Sequence, residues 1–235
     1  MPNSSARNTA LIIGASRGLG YAMAEEYLKQ GWSVVGTVRG ESRTKLHELA
    51  DRPASRVEIE KIDINFTDQI AALRARLAGR SFDVLFVNSG ITNKNPDDTV
   101  AEVSTDEFVH VMVTNALSPM RVVEALHDLV TPTGTIGVMS SGQGSVGNNT
   151  RGMREVYRGS KAALNTFMRS FAARHLTDSR AMVLMAPGWV RTELGGPGAS
   201  LTIEDSVPRL VNVLMSVQGK PGLQYLDYLG RTVPW

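Results

Sequence analysis

Short apolar runs alternate with longer stretches of helical periodicity along the whole chain. The runs lie at 10–13, 32–38, 56–62, 84–87, 135–139 and 181–186. Most are continuously apolar, as expected of strands buried on both faces of a parallel sheet. Helical patterns fill the gaps at 18–29, 42–50, 67–78, 105–130 and 154–176. This βαβα rhythm predicts an α/β fold, a doubly wound parallel sheet with helices on both faces. No linker, repeat or low-complexity tract divides the chain. One domain is therefore expected over 1–235, with a substrate loop and short helix at about 188–218. Three long stretches without a repeat, 88–98, 142–152 and 188–200, each follow a strand. In open α/β sheets such loops form the ligand crevice.

Composition narrows the chemistry. The 235 residues include no cysteine, which excludes disulfides, Cys-ligated zinc, iron–sulfur clusters and a thiolate nucleophile. His47, His110, His127 and His175 are scattered without ligand spacing, so no metal site is expected. Lys and Arg number 25 against 23 Asp and Glu, a net charge of +2 that gives no support for nucleic-acid binding. The apolar run at 9–14 is too short for a signal-peptide core, and no stretch approaches the roughly 18 apolar residues of a membrane span. A soluble, cytoplasmic protein is the expectation.

Gly14-Ala15-Ser16-Arg17-Gly18-Leu19-Gly20 joins the first strand to the first helix. Glycines there permit a tight turn and close approach of a pyrophosphate, while the helix start offers free N–H groups. The motif in this setting predicts a Rossmann-type dinucleotide site. An acidic residue near the end of the second strand would bind the ribose of NAD. Arg39 occupies that place instead, and Arg17 adds a second cation. Planar guanidinium groups suit a 2′-phosphate, so NADP(H) is the expected cofactor. Asp63, followed by Ile64, ends the third strand. Asp63 is placed to accept from the adenine amino group, although an aspartate there equally suits a turn or helix cap.

Tyr157 and Lys161 lie four apart near a helix start, on one face. A cationic amine beside a phenol favours the phenolate, which predicts a lowered Tyr157 pKa and a group able to exchange a proton with a hydroxyl or carbonyl. With Gly14-x-x-x-Gly18-x-Gly20, Asn88-Ser89-Gly90, Asn115, Ser140-Ser141 and Pro187-Gly188-Trp189-Val190-Arg191-Thr192, in this order, the chain resembles the short-chain dehydrogenases/reductases over nearly its full length. The tail, with Gly195-Gly196-Pro197 and Leu229-Gly230-Arg231-Thr232-Val233-Pro234-Trp235, is similar to the C-factor-like and sniffer-like carbonyl reductases.

The resemblance implies an NADP(H)-dependent oxidoreductase working on a small-molecule carbonyl or alcohol. It implies that Tyr157 is the general acid or base, that Lys161 tunes it and bonds the nicotinamide ribose, and that Ser141 donates to the substrate oxygen. Asn115 would hold a relay water. Ser16, Leu19, Ile64, Asn88, Ser89, Gly90, Pro187, Gly188, Val190 and Thr192 would line the cofactor, with Thr192 and the Val190 backbone on its carboxamide. Two departures stand out. Val87-Asn88-Ser89-Gly90 replaces the family's usual Asn-Asn-Ala-Gly, and the stretch between Ser141 and Tyr157 is slightly long, leaving Ser140 and Ser145 as alternative donors. Met153, Trp189 and Leu194 are placed to form an apolar substrate wall, and Trp235 to meet a second subunit. The resemblance further implies a homodimer or homotetramer paired through the 154–176 helix. A non-catalytic NADP-binding or signalling protein on the same fold is the rival reading. Sugar-nucleotide epimerases carry a larger substrate domain than the residues after Thr192 would make.

Overall fold

The computed structural model describes residues 7–235. The first six residues, part of the expected domain range and of the N-terminal segment read above as lacking an export signal, lie outside the described residues. Seven parallel strands form one sheet in the order β3-β2-β1-β4-β5-β6-β7. They are β1 (Thr9–Ile13), β2 (Ser33–Val38), β3 (Val57–Lys61), β4 (Phe82–Val87), β5 (Val130–Met139), β6 (Ala181–Ala186) and β7 (Gly222–Asp227). The helices are α1 (Gly18–Lys29), α2 (Lys45–Ala50), α3 (Thr67–Arg76), α4 (Thr105–Met112), α5 (Ser118–Leu126), α6 (Glu155–Arg174) and α7 (Ile203–Ser216). None of the described helices is long and apolar enough to cross a membrane.

Continuous apolar strands produce two cores, because alternate side chains point to opposite faces. Leu11, Ile13, Leu85, Val87, Met182 and Leu184 face the layer built by α3, α5 and α6, which contributes Leu73, Val123, Leu164 and Phe171. Ala10, Ile12, Val84, Phe86, Val183 and Met185 face α1, α2 and α7, which contribute Met23, Tyr27, Leu46, Leu210 and Leu214. The strand order reverses between β1 and β4, and the crevice opens above their C-terminal ends.

Two elements differ from the sequence expectation. The segment 105–130 is not one helix. A π-turn (Val113–Leu117) separates α4 from α5, a 3-10 turn (His127–Leu129) follows, and Val130 already belongs to β5. Pro119, the second residue of α5, has no amide hydrogen, so the α-helical ladder must break one turn before it. The second difference is β7, absent from the expected strands. Its polar Gln224 interrupts the apolar run, and an edge strand is only partly buried, so continuity of hydrophobic residues was the wrong signal there.

Candidate active site

The chain leaves β1 through Gly14 at φ +86°, a conformation that favours glycine. Thr37 fixes this turn, its hydroxyl accepting from the Gly14 N–H at 2.9 Å and its carbonyl from the Ala15 N–H at 2.9 Å. From β4, Asn88 donates its side-chain amide to the Gly14 carbonyl at 3.0 Å. A Cβ on Gly20 would collide with that same carbonyl, so the first turn of α1 must carry glycine to pack there. Arg17 precedes α1 without a side-chain cap, which leaves the helix's first N–H groups unclaimed by any side chain. A cleft runs from here past the ends of β2 and β3, lined by Ile13, Gly14, Ser16, Thr37, Val38, Arg39, Ile62, Ile64 and Ser89. Leu19 is instead turned partly into the core beneath.

The two arginines behave differently. Arg39 stands exposed on the rim of the cleft. Arg17 forms an ion pair with Glu193 of the loop after β6, with both side chains mostly in solvent. Asp63 makes a turn: one carboxylate oxygen accepts from the Asn65 N–H at 3.0 Å, while its own N–H donates to the Gln69 side chain at 2.8 Å.

The second part of the site sits where β5 meets α6. Tyr157 and Lys161 are both buried, on the face of α6 that the spacing predicts. Lys161 donates to the Met139 carbonyl at 2.9 Å. Its burial lowers the ammonium pKa to about 8. Gly90 makes room for it, since a Cβ there would stand 3.2 Å from the Lys161 nitrogen. Tyr157 departs from the expectation of a lowered pKa. Burial raises it above 10, and the Ser141 hydroxyl and the Arg154 charge only partly oppose that rise. Loss of hydration outweighs both.

The three candidate serines separate clearly. Ser140 is buried and donates to Asn165 at 2.6 Å. Ser145 is buried and accepts from the Asn148 N–H at 3.2 Å. Ser141 is half-buried beside Tyr157; its oxygen accepts from the Gln143 N–H at 3.1 Å, and its hydroxyl faces the Tyr157 phenol, whose pKa it lowers. The turn carrying it is held from below. Asn165 donates to the Gly144 carbonyl at 3.1 Å, and the phenol of Tyr225 on β7 donates to the Ser141 carbonyl. Asn115 is fully buried in the π-turn. Its amide donates to the Ile91 carbonyl at 2.7 Å and to Ser160 at 2.9 Å, and its oxygen accepts from the Ile91 N–H at 2.8 Å. The side chain thus braces the loop after β4 against α6.

The loop after β6 reaches the glycine loop through the Arg17–Glu193 ion pair. Pro187 is anchored through its carbonyl to Ser206 of α7 at 2.7 Å, and Gly188 turns the chain at φ +83°. Val190 bridges to Leu201, and the Thr192 hydroxyl accepts from the Gly195 N–H at 3.1 Å. Trp189 is 55% exposed, with its indole N–H on the Gly195 carbonyl at 2.8 Å; Leu194 is exposed on the same loop and Met153 on the loop before α6. Trp235 packs within its own chain, its ring 5.4 Å from that of Tyr225 and beneath the Arg169 guanidinium at 4.4 Å.

Sequence reasoning missed Arg154 and Tyr225. Three residues before Tyr157, Arg154 reads as a solvated helix-start cation. Only its left-handed backbone, φ 55°, turns it over the Tyr157 ring. Tyr225 was hidden with its strand; the Pro221-Gly222 turn signal was the available hint.

Residues 8–199 match the family model described as short chain dehydrogenase. A short-chain dehydrogenase/reductase from Burkholderia multivorans, crystallised with bound NADP, is 63% identical with a TM-score of 0.96, covering 97% of this chain and 100% of that one. The carbonyl reductase Sniffer of D. melanogaster is 27% identical with a TM-score of 0.85, covering 97% of this chain and 100% of its own. C-signal of Myxococcus xanthus is 33% identical over 155 residues, 65% of this chain and 92% of that protein. With the family model spanning the glycine loop, the serine turn and the Tyr157–Lys161 helix, the chain belongs to the short-chain dehydrogenase family.

Proposed function

We propose that the protein is an NADP(H)-dependent oxidoreductase that interconverts a carbonyl and an alcohol, with Tyr157 as general acid and base. The observation that carries this reading is the buried Tyr157 with the Ser141 hydroxyl against its phenol, on a helix whose Lys161 packs against Gly90, the residue after Ser89 of the glycine-loop cleft. The residues present fit a dinucleotide. The Gly14–Gly20 contact leaves no room for a side chain at the pyrophosphate turn, α1 begins uncapped, and Arg39 stands free at the cleft rim for a 2′-phosphate. Arg17 is tied to Glu193 only by an exposed ion pair, of little strength, which a phosphate would displace. When bound, the nicotinamide supplies the hydride.

The chain's own groups do the rest. The raised Tyr157 pKa keeps the phenol protonated at neutral pH, so it can give its proton to the carbonyl oxygen as charge develops. Ser141 donates to the same oxygen. Lys161, still cationic at neutral pH, stabilises the phenolate left behind. A relay water on Asn115 is best held by its backbone carbonyl, because both N–H groups of the side chain are occupied and the α-helical partner of that carbonyl would be Pro119. Thr192 and the Val190 backbone are assigned to the carboxamide. The exposed face of α6, with Phe167 at its centre, is assigned to a homodimer or homotetramer contact, checked by light scattering.

Tyr157→Phe tests the reading. Turnover of aldehydes and ketones with NADPH should fall by about 10²–10⁴-fold, with NADPH affinity little changed. Undiminished turnover removes Tyr157 from its role, and an absence of wild-type turnover across a broad carbonyl and alcohol screen favours the non-catalytic alternative.

A further inference from the structure

The loop entering α6 contains three consecutive left-handed residues: Gly152 at φ 62°, Met153 at φ 60° and Arg154 at φ 55°. Only the first is glycine, so two side-chain-bearing residues hold a strained backbone, the kind of strain that clusters at ligand clamps. The Arg158 side chain supports the turn by donating to the Met153 carbonyl at 2.8 Å. The consequence is the position of Arg154. Its guanidinium lies over the Tyr157 ring, 5.2 Å from the centroid.

That guanidinium is short of partners. Arg154 forms no ion pair among the described residues. Its Nε is buried without a hydrogen-bond acceptor. Glu155, the adjacent acid, accepts from the Val100 N–H at 2.8 Å instead. Arg151 and Arg158 flank it in sequence, so the local charge is positive. A buried donor without an acceptor is costly, and the ring face of a tyrosine satisfies charge but not N–H direction. A carboxylate would satisfy both, because the guanidinium fork matches its geometry.

We propose that Arg154 is a specificity-determining residue that docks a carboxylate carried by the substrate close to its reducible carbonyl, making short oxo acids the preferred substrate class. This rests on the reading of Tyr157 as proton donor to that carbonyl. The exposed Met153 on the same turn gives such a substrate an apolar surface for its remaining carbons.

The test compares matched acids and esters with NADPH: phenylglyoxylate and its methyl ester, acetoacetate and levulinate and their ethyl esters. Wild type should prefer the acid in at least one pair. Arg154→Gln should lower the acid-to-ester ratio of kcat/KM in that pair by about 10–100-fold, mainly through KM, and Arg154→Lys should restore part of it. Use of the ratio cancels any effect on Tyr157 shared by both substrates. Arg154→Gly, which also relieves the left-handed backbone, should give the same loss if Arg154→Gln folds poorly. Preference for the ester in every pair, or an unchanged ratio in the variants, overturns the proposal. If no carbonyl is reduced, the parent reading fails, and docking is read alone: calorimetric titration of phenylglyoxylate into the NADP-saturated protein should give binding that Arg154→Gln abolishes, and absence of wild-type binding overturns the proposal.

Discussion

Tyr157 gives up its proton less readily in this pocket than in water, because burial outweighs the favourable contacts of Ser141 and Arg154. With Tyr157 in the role proposed above, the acid form serves reduction and the base form oxidation. NADPH-dependent reduction should therefore be fastest at neutral pH and below, and NADP-dependent oxidation should climb on the alkaline side. An oxidation optimum below that of reduction would contradict the assignment. At the other end of the crevice, Arg39→Asp should lower kcat/KM with NADPH by about 10–100-fold, the loss expected for a charge-assisted bond, and raise activity with NADH. Equal effects on both cofactors would remove Arg39 from the phosphate site. The placement of Tyr157 and Lys161 on one buried face of α6, and the different directions of Ser140 and Ser141, were legible because helical spacing and strand alternation dictate direction: Ser140 turns to Asn165 and Ser141 to Tyr157. Arg154 was not legible, since nothing in its neighbours' spacing announces a left-handed backbone.

Among the elements, the α4–α5 segment shows how one residue reshapes a helix. Amphipathic periodicity runs through 105–126 without a gap, so the pattern alone reads as a single helix. Pro119 carries the missing information, because it removes the donor that the Asn115 carbonyl would use. Pro119→Ala should let the ladder close across the π-turn. We expect a lower rate of reduction with NADPH affinity unchanged, measured by single-turnover kinetics; an unaltered rate would exclude that carbonyl from the proton relay. The sheet's interior strands were readable from their continuous apolar runs. β7 was not, because a strand at the edge has one neighbour and tolerates Gln224.

For the molecule as a whole, the site imposes a stability cost. Lys161 is almost fully buried, and its pKa falls from 10.5 to about 8. Between those values the unfolded chain binds more protons than the native one, so stability rises with pH through that window, and below about pH 8 the full penalty applies. Lys161→Met should stabilise the protein at neutral pH by about 1–4 kcal/mol, a gain that shrinks as pH rises from 8 toward 10.5, while abolishing turnover. A destabilised variant in thermal unfolding would refute this. The same view brings out the place of Tyr225. Its hydroxyl fastens the Ser141 carbonyl from β7, the last strand of the sheet in chain order. During synthesis on the ribosome, β1 to β4 and the nucleotide groove emerge long before β7 can pair with β6. The groove is thus built from residues up to Ser89 alone, whereas the serine turn gains its Tyr225 fastening only when the last strand has paired.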